Sequence, residues 1–160
     1  VLTSRGLGDV YKRQVLKVDF WWIMNEVELS QNEIIEEFMI FDNWIDKYQY
    51  IIELGRELIP LTEDEKIEKN KIKGCQSQVW FIPEYKDNRL VFRAISDAAI
   101  VSGLIAILIR IYSNKKPSDI REASIDFVVS LGLDQHLSPT RSNGLSSMIQ
   151  AIESCAVEYE

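Results

Sequence analysis

The sequence predicts one mixed α/β (α+β) domain in which helices pack against a small antiparallel β-sheet. Three observations carry that prediction. Residues 78–83 and 90–95 are rich in β-branched and aromatic side chains and flank Lys86-Asp87-Asn88, which has turn chemistry, so they read as an antiparallel hairpin. Residues 98–112 are apolar on nearly every side, the pattern of a helix at the centre of a core. Helical apolar spacing recurs on both sides of that pair. A length of 160 residues, 46% apolar and 27% charged, suits one globular domain with a real core.

Residues 1–23 read differently from the rest. Gly6, Gly8 and scattered charges give residues 1–14 no periodic pattern, and Lys17 and Asp19 break the apolar cluster 15–23. That cluster is too short and too charged for a membrane span of about 20 apolar residues, and it lacks the order of a signal peptide. Met24-Asn25-Glu26 looks like a natural start. Residues 1–23 are therefore expected to be a non-native or disordered leader, and residues 24–160 the functional domain.

Ser30-Gln31-Asn32-Glu33 has the form of a capping box, predicting a first helix there with Ile34, Ile35, Phe38 and Phe41 at helical spacing. A second helix is predicted over 43–58, with Ile45, Tyr48, Ile51, Ile52 and Leu58 inward and Pro60 as its stop. Residues 61–70 form a charged connector. A hairpin alone is marginal, so a third strand near Ile72, or helices over one face, must complete it. Ser96-Asp97 is placed to cap the apolar helix, and a further turn, which Ser118-Asp119 can begin, follows the break at Asn114-Lys115-Lys116-Pro117. A short helix ending near Gly132, a loop over 135–144 and a last helix over 145–157 complete the chain, with Met148, Ile149, Ile152 and Ala156 inward.

Composition excludes several functions. A net charge of −7 argues against a nucleic-acid partner, since phosphate binding draws on excess Lys and Arg. The 15-residue apolar run containing Ser102, Gly103 and Arg110 argues against a membrane span. Two distant cysteines and one histidine support neither a disulfide framework nor a zinc or iron–sulfur ligand set, and point to a reducing compartment.

The candidate chemistry centres on Cys75. It follows Gly74, which allows a tight turn, and Lys66, Lys69, Lys71 and Lys73 precede it within ten positions. Nearby cations stabilise a thiolate, the nucleophilic form, while a small buried inert thiol is the alternative. Cys155, on the last helix, reads as packing. His136, the sole histidine, is either a structural hydrogen-bonder or the base of a Cys75/His136 thiol-dependent hydrolase. Arg141 is either an ion-pair partner or a fixed positive charge near the thiolate, and Asp97 either favours a helix start or anchors a neighbouring loop.

Three blocks, in order, resemble the SufE family: Gly74-Cys75-Gln76-Ser77-Gln78-Val79-Trp80; Ser96-Asp97-Ala98-Ala99-Ile100-Val101; and Gln135-His136-Leu137-Ser138-Pro139-Thr140-Arg141-Ser142. The resemblance implies an α/β fold similar to that of IscU-type scaffolds. It also implies a cytoplasmic, non-enzymatic sulfur acceptor for iron–sulfur cluster assembly, in which Cys75 takes persulfide sulfur from a SufS-type cysteine desulfurase. Asp97, Arg141 and His136 would support the transfer. The pyridoxal phosphate would belong to the desulfurase, this chain would carry no cofactor, and a SufBCD-type scaffold would receive the sulfur. A CsdA-type desulfurase is the alternative donor, a structural adaptor with an inert Cys75 the third reading, and the oligomeric state, a homodimer included, stays open.

Overall fold

The computed structural model describes residues 25–159, and the expected leader lies outside them. Helix α1, Glu26–Phe38, is capped not by Ser30 but by Asn25, whose carboxamide oxygen accepts the N–H groups of Val27 and Glu28. Asn25 also donates to the Asp119 carbonyl at 2.7 Å, so the cap is a tertiary tie as well. Ser30 therefore lies inside the helix, and Val27, Ile34 and Phe38 form its buried stripe.

Helix α2, Trp44–Arg56, begins at Asn43, whose side chain accepts the Asp46 N–H. Of its expected inward residues Ile51 is buried and Tyr48 and Leu58 pack against the core, while Ile45 is 79% exposed. A connector with a 3₁₀ turn at Glu68–Asn70 leads to the hairpin β1, Val79–Lys86, and β2, Arg89–Ser96. The strands pair from Val79 opposite Ser96 to Lys86 opposite Arg89. Asp87 and Asn88 both take positive φ, 53° and 61°, as a two-residue type I′ turn requires. In place of a third strand there are two isolated antiparallel bridges among the described residues, Lys71 to Trp80 beside β1 and Leu90 to Lys115 beside β2.

Helix α3, Ala99–Tyr112, covers the inner face of the hairpin, as its all-round apolarity requires. Leu90, Phe92 and Ala94 alternate inward from β2 to meet it, with Val79 from β1. Short helices α4 (Pro117–Glu122), α5 (Phe127–Ser130) and α6 (Leu133–His136) follow, with Gly132 left-handed at φ 76° between the last two. Helix α7, Pro139–Glu158, packs on α3 and α4. It starts six residues before the expected last helix, because Ser138 caps it and Pro139 occupies its first turn. The expected loop 135–144 is thus mostly helical. Met148, Ile149, Ile152 and Ala156 are all buried. No described helix is long and apolar enough to cross a membrane.

Candidate functional site

Cys75 sits in a loop held at both ends by backbone geometry. Upstream, the Ile72 N–H donates to the Val79 carbonyl at 2.9 Å. Downstream, Asp97 accepts the Gln78 N–H on its carboxylate at 3.1 Å and returns its own N–H to the Gln78 carbonyl at 3.3 Å. Asp97 therefore fastens the loop to the end of β2 and does not cap α3. Ser96 supplies the local bond there, its hydroxyl accepting the Ala98 N–H. At the tip Gly74 has φ 91°, which favours glycine, and a Cβ there would lie 2.8 Å from the Ser147 hydroxyl of α7.

The loop lays Cys75 against the N-terminal half of α7. Its thiol, half-buried, donates to the Gly144 carbonyl with sulfur and oxygen 3.6 Å apart. A cavity of about 20 Å³ adjoins it, walled by Val101 and Leu104 of α3 and by Thr140, Arg141, Gly144 and Met148 of α7. Burial pushes the thiol pKa up. The lysines before it do not offset this, contrary to the sequence expectation: none lines the Cys75 cavity, Lys66 and Lys71 pair with Glu63 and Glu68, and Lys69 and Lys73 line a different cleft. The resting group is a sheltered, protonated thiol.

Arg141 occupies the first turn of α7, not a loop. It lines the Cys75 cavity, its side chain is exposed, and no carboxylate is within ion-pair distance of it among the described residues. His136 is elsewhere. Its ring stacks on Trp44 with centroids 3.9 Å apart, and its backbone carbonyl accepts the Tyr48 hydroxyl. It does not line the cavity beside Cys75. Cys155 is half-buried on α7, and burial raises its thiol pKa, as does the charge of Glu158. Among the described residues no group of three or more His, Cys, Asp or Glu could hold a metal.

Sequence reading missed Gly144, Thr140 and Ser147 as parts of the site. Gly144 follows the polar run 139–143, which reads as a loop, and neither it nor Thr140 or Ser147 carries a sequence signal of a close approach.

Fold and site together define a class: a small α+β domain that presents one sheltered thiol from a loop pinned at both ends. The chain belongs to the SufE family, whose model, described as an Fe-S metabolism associated domain, matches residues 32–156. That membership places it in iron–sulfur metabolism. It is 43% identical over 130 residues to an uncharacterised SufE-like protein of Rhizobium meliloti (strain 1021), covering 78% of this chain and 93% of that one. It is also similar in fold to a hypothetical protein from Thermus thermophilus solved in solution. That likeness has a TM-score of 0.68 at 15% identity and covers 81% of this chain and 95% of the other.

Proposed function

We propose that the chain is a sulfur acceptor and carrier, with Cys75 receiving sulfur from the persulfide of a pyridoxal-phosphate cysteine desulfurase and passing it to an iron–sulfur scaffold. The observation that carries this reading is the small cavity at Cys75 Sγ. At about 20 Å³ it admits roughly one water-sized group, the scale of one added sulfur atom.

The step is a thiol–persulfide exchange. The Cys75 S–H loses its proton to solvent as the loop emerges, and the thiolate attacks the terminal sulfur of the donor persulfide. A new S–S bond forms at Cys75, the donor's S–S bond breaks, and the donor leaves as a thiolate that takes up a proton. Oxidation state is conserved, so no added oxidant is needed. Transfer to the scaffold repeats the exchange in the opposite sense. Burial opposes ionisation and limits attack by stray thiols between the two steps. Arg141, exposed at the cavity's edge without an acidic partner, is the charge best placed to stabilise a sulfur anion.

The non-enzymatic, cytoplasmic setting, the SufBCD-type acceptor and the choice between a SufS-type and a CsdA-type donor belong to this same reading. The test incubates the chain with each desulfurase and cysteine, then measures the mass of the Cys75 peptide. A gain of one sulfur is expected, lost in Cys75→Ser without loss of fold. Full sulfur acceptance by Cys75→Ser would sink the reading.

A further inference from the structure

The segment leading into Cys75 also forms one wall of a cleft of about 470 Å³ whose opposite wall is the outer flank of α7. Lys69 and Lys73 stand exposed at its edge, Ile72, Phe81 and Pro83 supply apolar surface, and Ser147 adds a hydroxyl. No acidic side chain lines it. In a chain of net charge −7 this is a local reversal of sign. Lys71 borders it too, but its ammonium is held by Glu68 at 3.0 Å and lies over the Trp80 ring. Lys69 and Lys73 have no carboxylate within ion-pair distance among the described residues, although the sequence contains 25 acids.

We propose that this cleft is the docking groove for an acidic, partly apolar segment of the protein that delivers sulfur to Cys75. The identity of the partner rests on the sulfur-acceptor reading; the chemistry of the segment rests on the cleft alone. Carboxylates meet the two unpaired ammoniums while apolar side chains cover Phe81 and Pro83. The acidic remainder of the surface repels such a segment, so charge also sets where it lands. A polyanionic nucleic acid fits less well, because the net charge repels it and the apolar surface offers its backbone no bond. The cleft is continuous with the acceptor site through Ser147, whose hydroxyl lies 2.8 Å from where a Cβ on Gly74 would sit. A segment seated there rests against Ile72 and Lys73, the base of the Cys75 loop.

The test titrates the ¹⁵N-labelled full chain with the peptide EELFEE and its uncharged counterpart QQLFQQ. The acidic peptide is expected to shift the amides of residues 69–73 and 147–155. Its affinity should drop about tenfold in a Lys69→Glu/Lys73→Glu variant and at high salt, as for paired surface charges. Absent shifts, shifts elsewhere, equal binding of QQLFQQ, unchanged affinity in the double variant, or displacement of the peptide by a single-stranded oligonucleotide each overturn the groove. A kinetic arm separates it from the sulfur reading. With a desulfurase present, the double variant should need about tenfold more chain for half-maximal stimulation at an unchanged maximal rate. Unchanged half-saturation with normal sulfur acceptance overturns the groove and leaves the reading standing. If the wild-type chain accepts no sulfur but the peptide maps to the cleft, the reading falls and the groove stands.

Discussion

At the scale of single residues, the site depends on what is missing from position 144. Gly144 lies inside α7, where glycine costs about 0.5–1 kcal/mol relative to alanine. Its retained smallness has a spatial counterpart: a Cβ there would point at Cys75 Sγ from 3.7 Å. That distance is ordinary van der Waals contact for the free thiol. A sulfur added to Cys75 and sheltered from solvent would occupy the adjoining cavity of about 20 Å³, and a methyl group takes part of it. Gly144→Ala should therefore leave the fold intact or raise its stability by up to about 1 kcal/mol, while slowing sulfur acceptance at Cys75 several-fold. Thermal melting and a single-turnover loading assay measure the two effects. A variant that is stabilised and loads at the wild-type rate shows that the cavity does not house the sulfur. The residue scale is also where sequence reading reached least far. Cys75 and Arg141 are marked by chemical type, but Gly144 and Ser147 act through proximity that only the folded chain creates.

At the scale of elements, the α2–α3 crossing shows why the existence of α2 was legible and its inward face only in part. Apolar spacing predicted α2, yet Ile45 on the expected face is exposed and the inward side runs through Trp44, Tyr48, Ile51 and Gly55. The rotation follows from backbone contact. A Cβ on Gly103 would lie 2.2 Å from the Ile51 carbonyl oxygen, and one on Gly55 would lie 2.6 Å from the Gly103 nitrogen. The two helices approach through their glycines, and hydrophobicity patterns carry no information about that. Caps misled in the same way: Ser30 is a sound capping residue, but Asn25 makes the bonds because its tie to Asp119 fixes the chain there, and Asp97 is drawn off α3 by the Gln78 N–H. Gly103→Ala must push α2 and α3 apart, at a cost of about 3 kcal/mol or more, the upper range for overpacking. Chemical denaturation should show that loss, with Gly144→Ala as a helical control free of it. Equal stability of the two variants is incompatible with a glycine-mediated crossing.

At the scale of the whole molecule, three ion pairs tie separate elements together, and all three were beyond reach of sequence because 25 acids offer too many partners. Glu26 at the start of α1 meets Arg89 at the start of β2 at 2.7 Å. Glu37, near the end of α1, holds Arg110 of α3, and Glu65 of the connector holds Arg93 of β2. In each case the hydrogen bond from arginine is the main cause that holds the carboxyl pKa below its ordinary value, and for Glu65 it reaches about 2. The sign follows from linkage. A carboxyl whose pKa is lower in the folded chain contributes its stability in full above the unfolded value near 4.5, and loses it as pH falls through the folded value. Stability should thus be flat from neutral pH to about 5 and decline between about 4.5 and 2. The urea midpoint measured across that range checks this. Glu65→Gln should lower the midpoint at pH 7, where the wild-type carboxylate is ionised and paired, and reduce the acid slope, since the variant has no proton to bind there. If the variant follows the wild-type slope, Glu65 does not fasten the connector to the hairpin, and acid sensitivity must come from Glu26 and Glu37 at the two ends of α1.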